Sequence, residues 1–148
     1  MHRVAFCCCL AVLAGCVKSK EQPARDTAAP APISLADVAG NWAMRTMTES
    51  GDSTLVSYVM VASADPSGWT FNFPQRTPVP VRVVAVAGDS IITEAGPYES
   101  VLRKGVQVTT HSVTRLQDGR LVGTTVARYA TSSSDSVLHL RFQGTRAP

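Results

Sequence analysis

Cys16 is the side chain best placed for covalent chemistry. It follows Leu13-Ala14-Gly15, and ahead of these stand His2, Arg3 and an apolar run over residues 4–13. A charged start, a hydrophobic segment and then small residues is the order of a secretory signal, and the small side chains let a peptidase draw the chain into its site. A thiol at that point is a sulfur nucleophile open to covalent modification. Of the 4 cysteines, Cys7, Cys8 and Cys9 lie inside the apolar run. Removal of the run leaves a domain with no disulfide, thiol nucleophile or cysteine metal site. His111 and His139 carry ligand chemistry but fall on strands separated by a third. With strands about 4.8 Å apart, their rings start about 10 Å from each other, and no carboxylate is indicated beside them to complete a metal shell. Asp89, Glu94 and Glu99 form no evident acid/base pair, and Arg82, Arg115, Arg128 and Arg141 fit solvated strand positions. No catalytic residue, metal or other cofactor is expected, because no nucleophile, base and orienting group can be placed together.

Leu13-Ala14-Gly15-Cys16 resembles the lipobox of bacterial lipoproteins at all four positions. The resemblance implies that residues 1–15 are a signal peptide, that Cys16 becomes a lipidated N-terminus, and that the protein is held in the cell envelope by its acyl chains. Val17 stands where an Asp would suggest inner-membrane retention in such families. The implied destination is the outer membrane, facing the periplasm, in a cell that has one. A spanning helix needs about 20 apolar residues, and Lys18, Ser19, Lys20 and Glu21 end this run too early. Gly88-Asp89-Ser90-Ile91 superficially resembles the Gly-Asp-Ser-Leu motif of a hydrolase family. That serine needs an α/β scaffold with a distant Asp and His, so a hairpin turn is expected here instead.

The formal net charge is +3, and loss of Arg3 with the leader removes one of the positive charges. The basic residues are scattered with no run or arginine-rich helix, which is not the footprint of a nucleic-acid binder. Residues 16–32 are rich in Lys, Ser, Ala and Pro and cannot bury enough apolar surface to fold. Nearly extended, at about 3 Å per residue, they make a flexible tether of about 40 to 50 Å. One domain follows, over residues 33–148.

The elements that would position any site begin with a single helical turn, where Ser34 and Asp37 make a capping-box-like pair, Ile33 and Val38 a staple, and Gly40 the stop. Beyond Gly40 the hydrophobic period becomes two. Strands are predicted over residues 41–49, 53–62, 69–73, 79–87, 90–103, 106–117, 120–129 and 137–145. Gly88-Asp89, Lys104-Gly105 and Asp118-Gly119 are compact hairpin signals. Counting 90–95 and 98–103 separately gives nine strands, an odd number that cannot close antiparallel. Gly96-Pro97 kinking one long strand gives about eight. The expected fold is all-β, a small antiparallel up-and-down barrel, with an open β-sandwich as the alternative.

A two-residue turn at Asp118-Gly119 pairs Gln117 with Arg120, and therefore Leu116 with Leu121, Thr114 with Gly123, Ser112 with Thr125, Thr110 with Ala127 and Val108 with Tyr129. Those pairs share one inward face. Leu138, Leu140 and Phe142 are inward in the last strand, with His139 and Arg141 outward. Gly40-Asn41-Trp42, opening the first strand after a helical turn, resembles the Gly-x-Trp signature of lipocalin and calycin barrels. The resemblance implies a barrel floor in which Trp42 is covered by a terminal arginine, Arg146 or failing that Arg141.

Two functions follow for such a tethered barrel. In one, the interior binds a small apolar or amphipathic molecule in a cavity lined by Met44, Thr46, Ala85, Thr110, Ser112, Thr125, Ala127 and Tyr129, side chains mostly too small to fill an eight-stranded barrel. In the other, Trp69, Phe71, Phe73, Tyr129 and Phe142 reach in, the barrel is filled, and the outer face meets another envelope component.

Overall fold

The backbone N–H and the hydroxyl of Ser34 both donate to the Asp37 carboxylate, at 2.7 and 2.8 Å, and this clasp starts α1 (Leu35–Val38). The hydrogen bonds from Ser34 hold the Asp37 carboxyl below the usual carboxylate range. In the computed structural model, which describes residues 32–148, everything after α1 is strand and turn. The signal peptide, Cys16 and the tether up to residue 31 lie outside the described residues.

Eight strands follow in order: β1 (Gly40–Thr48), β2 (Thr54–Ala62), β3 (Trp69–Asn72), β4 (Val79–Ala87), β5 (Ser90–Glu99), β6 (Gln107–Gln117), β7 (Arg120–Tyr129) and β8 (Val137–Arg146). Each pairs antiparallel with the next, and β8 returns to β1 over Trp42↔Arg146 to Thr48↔Leu140, closing the barrel. The open sandwich is therefore displaced. Closure is possible because Gly96-Pro97 bends β5 without dividing it: the ladder to β6 jumps from Ala95↔Thr110 to Tyr98↔Val108. Gly96 sits at φ +113°, and a Cβ there would press into the Val108 carbonyl, so only glycine fits the bend.

The β6–β7 register follows the expected pairing throughout, from Gln117↔Arg120 to Val108↔Tyr129. Strand alternation holds less well in β4. A bulge between Val83 and Ala85 shifts the ladder so that Val83 pairs with Thr93 and Ala85 with Ile92. Thr93 is buried while Ile92 shares the outward face of Glu94, so the bulge turns Ala85 away from the interior. A second difference lies after β5. The strand ends at Glu99, and residues 100–106 form a folded loop where a tight Lys104-Gly105 hairpin was expected. Ser100 organises that loop by accepting from the backbone N–H of Leu102 and of Arg103, both at 3.0 Å.

The two ends of the barrel differ. The short turns at 88–89 and 118–119 lie at the floor with α1, whereas the connections 49–53, 73–78, 100–106 and 130–136 crowd the opposite rim. Most of the apolar core, including Trp42, Trp69, Ile91 and Leu121, packs in one large cluster, and Val108, Ala127, Tyr129 and Leu140 make a smaller one.

Candidate functional site: the barrel floor and interior

Trp42 is fully buried at the floor, and its indole N–H donates to the Val38 carbonyl at 2.7 Å. Arg146, its partner across the β1–β8 seam, lies over the ring with the guanidinium carbon 4.5 Å from the centroid. The same guanidinium donates to the carbonyls of Ala39 and Asp37, at 2.7 and 3.0 Å. It thereby caps the end of α1 with a cation, where the helix leaves carbonyls without internal partners. Gly40 belongs to this arrangement as well: its φ is +129°, and a Cβ would crowd the Arg146 guanidinium at 2.8 Å. Arg141 lies elsewhere, donating to the carbonyls of Thr48 and Gly51 and pairing with Asp52.

Above the floor the interior is occupied by aromatic rings. Tyr58 meets Phe71 edge-on at 5.2 Å and Phe73 at 5.1 Å, and Phe73 stacks with Tyr98 at 5.9 Å. The hydroxyl residues deduced from alternation sit among them. Ser112 and Thr125 share a 2.7 Å hydrogen bond, and Thr110 donates to the Ala95 carbonyl. Burial dominates for the Tyr58 and Tyr98 phenols, against a smaller opposing effect of the nearby Thr46 and Thr110 hydroxyls. It pushes Tyr58 strongly upward and Tyr98 to about 12.

What remains between the rings, the hydroxyls and the rim is a chamber of about 60 Å³. Thr46, Thr110, Ser112, Thr125, Ala127 and Tyr129 line it, as does Leu140. Two members of the sequence-based set do not. Met44 is buried within the large floor cluster, and Ala85 is turned outward by the β4 bulge. Conversely, Tyr58, Tyr98 and residues 100–102 line the chamber without having been expected there. Alternation back from buried Met60 places Tyr58 inward and was the available signal. Nothing local signals that residues 100–102 fold over the rim.

The rim is tied down by charge. Arg103 stacks on Tyr129 at 4.0 Å and pairs with Asp135 at 2.8 Å, and Arg76 donates to the Glu99 carbonyl at 2.8 Å. Asp135 is held below the ordinary carboxylate range, first by the Ser133 hydroxyl and then by Arg103.

On the outer wall, Glu94 lies 3.3 Å from His111 Nδ1 and pairs with Arg82. A carboxylate therefore does stand beside this histidine, contrary to the expectation, because β5 and β6 pair Glu94 with His111 directly. The His111 hydrogen bond, then Arg82, lowers the Glu94 pKa. His139 is separated from His111 by Val126, which pairs with both. Among the described residues no three His, Cys, Asp or Glu side chains converge as a metal site requires. Gly88-Asp89 is the β4–β5 turn. The Ser90 hydroxyl donates to the Asp89 carboxylate at 2.7 Å, and Arg115 reaches the same group at 3.1 Å.

The closed eight-stranded up-and-down barrel is consistent with the lipocalin-like class of folds. No protein-family model, curated protein or solved structure matches the chain. The likeness therefore rests on strand order, closure and the Trp42 floor.

Proposed function

We propose that the protein is an envelope lipoprotein, anchored through a lipidated Cys16, whose barrel is a filled docking module and not an enzyme. One observation carries the choice of a filled module over a ligand carrier: the Tyr58, Phe71, Phe73 and Tyr98 rings occupy the interior and leave about 60 Å³. Sites that enclose drug-sized molecules measure about 300 to 1,000 Å³. A rigid, aromatic-packed barrel on a tether suits a part whose outside is recognised in the envelope. The lipobox residues Leu13 to Cys16 support the anchoring, and the outer membrane is the destination that Val17 favours.

A second reading has its own support. The residual chamber has hydroxyls on apolar walls, the lining that orients a small amphipathic molecule. Its apolar cover, Val101 and Leu102, is 39% exposed at each residue and sits at the rim. Thermal melting across fatty acids, phospholipids and small hydrophobes separates the two. A ligand at 100 times its Kd would add about 2.7 kcal/mol to stability. The filled-module reading expects no shift with any of them. A saturable rise in melting temperature, lost in Ser112→Leu, would instead establish the ligand reading.

A further inference from the structure

A second cavity, much larger than the interior chamber, lies on the outside of the barrel. It is an open groove of about 730 Å³ over the outer faces of β3, β2, β1, β8 and β7. The ladders set its order: Asn72 pairs with Val59, Val59 with Ala43 and Ala43 with Thr145, and Arg120 stands one residue before the Leu121↔Gly144 pair. Pro74 borders the groove at the β3 end and Arg120 at the β7 end. Arg45 flanks it, paired with Gln143 across the β1–β8 seam. Gln143 and Thr145 on β8 therefore stand between the two arginines.

These arginines differ in charge balance from most others in the barrel. Arg76, Arg82, Arg103, Arg115, Arg141 and Arg146 each hold a carboxylate or a backbone carbonyl. Among the described residues Arg45 and Arg120 have no ion pair, not even with Asp118 in the turn just before Arg120. None of the five strands under the groove carries an aspartate or glutamate. Two uncompensated positive charges thus border an apolar bed in which Val59 is 38% exposed.

We propose that this groove binds a soluble phosphate monoester carried on an apolar body. Such a group bears about −1.5 to −2 charges near neutral pH, which matches two guanidiniums, whereas a carboxylate supplies one. Arginine's planar fork meets phosphate oxygens two at a time, and the Gln143 amide and Thr145 hydroxyl are further donors between the two forks. Ala43, Val59 and Pro74 give the organic part of the ligand a surface on which to leave water. The volume falls within the range of about 300 to 1,000 Å³ that suits small-molecule sites. Because the groove is outside the wall, it stands whether or not the interior is filled and whether or not Cys16 is lipidated.

Calorimetric titration of the full chain with naphthyl phosphate should show saturable binding. It should be at least about tenfold tighter than binding of naphthoate, naphthol or inorganic phosphate, which lack one charge, all charge or the apolar body. Arg45→Gln and Arg120→Gln should each weaken it about tenfold, and Ala43→Trp should obstruct the bed to a similar extent. Arg128→Gln, exposed on β7 but outside the groove, should leave affinity unchanged, as should Ser112→Leu inside the barrel. Equal affinity for naphthoate and naphthyl phosphate overturns the proposal, and so does a loss at Arg45 or Arg120 no larger than at Arg128. Should the arginine variants fail to fold, undiminished binding in Ala43→Trp overturns it instead. Capture by phosphatidate vesicles without binding of naphthyl phosphate would make this wall a membrane-facing surface, and the groove proposal would again fall.

Discussion

Arg146 lies flat over the Trp42 ring while its nitrogens hold the carbonyls of Ala39 and Asp37, so one side chain at the end of β8 fastens the start of β1 and the end of α1 together. Trp42→Ala should lower the unfolding free energy by about 3 to 5 kcal/mol, the cost of deleting a buried aromatic. Arg146→Ala should cost less. A cation–π contact at an exposed site is worth about 0.5 to 1 kcal/mol, and the two carbonyls left behind add about 1 kcal/mol more. Urea unfolding of both single variants and the double variant measures the coupling. Strict additivity would mean that the two residues do not act together.

Gly123 and Gly144 face the interior at neighbouring strands, but they should respond differently to a methyl group. A Cβ at Gly123 would overlap the Val113 carbonyl and the tip of the Phe142 ring, whereas one at Gly144 would meet the Met44 thioether. Backbone and a packed ring cannot yield, while an unbranched thioether can rotate. Gly123→Ala should therefore cost about 1 to 3 kcal/mol through overpacking, and Gly144→Ala clearly less. The comparison is made by chemical denaturation of the two variants side by side, and a larger loss at Gly144 would contradict it.

Alkali should unfold the barrel through its buried phenols. Tyr98 is pushed to about 12 and Tyr58 is also raised, both mainly by burial. In the unfolded chain a tyrosine titrates near 10. As pH rises from about 10 towards 12, the unfolded state sheds protons that the folded state keeps, so stability falls with rising pH in that window. Melting temperature against pH, followed together with tyrosinate absorbance, should show the two changes coinciding. Tyr98→Phe should flatten the slope, since phenylalanine has no proton to lose; an unchanged slope in both Tyr98→Phe and Tyr58→Phe would remove burial of these phenols as its cause.

Processing tests the anchor. Cys16→Ser should leave an uncleaved precursor without lipid, and the protein should lose its resistance to extraction from the membrane fraction by high salt. Two or three acyl chains, at about 0.8 kcal/mol per buried methylene, hold a protein far more firmly than its basic residues could. Metabolic labelling with a radioactive fatty acid, together with fractionation, provides the measurement. Cleavage and membrane attachment that persist in Cys16→Ser would end the lipoprotein proposal.

Local rules were enough for much of the barrel. A two-residue turn at Asp118-Gly119 leaves one possible register for β6 and β7, and alternation then assigns every residue of the pair to a face. An even strand count follows from reading Gly96-Pro97 as a bend, and closure then brings the last strand beside the first. The adjacency of Trp42 and Arg146 is thus a topological consequence that needs no knowledge of packing. Other features depend on distances around the whole barrel. The β4 bulge that turns Ala85 outward shifts the ladder to β5 between Val83 and Ala85, where the sequence has neither glycine nor proline to signal it. His111 meets Glu94 because β5 and β6 pair in one particular register, across the Gly96-Pro97 bend and the loop at 100–106, and no two-residue turn fixes that register in the sequence. Above all, the small inward residues of β6 and β7 read as empty space in sequence, yet Tyr58, Phe71 and Phe73 from across the barrel and Tyr98 from adjacent β5 fill it. Alternation tells which way a side chain points, but how far the rings reach across and whether they meet is settled only when the barrel closes.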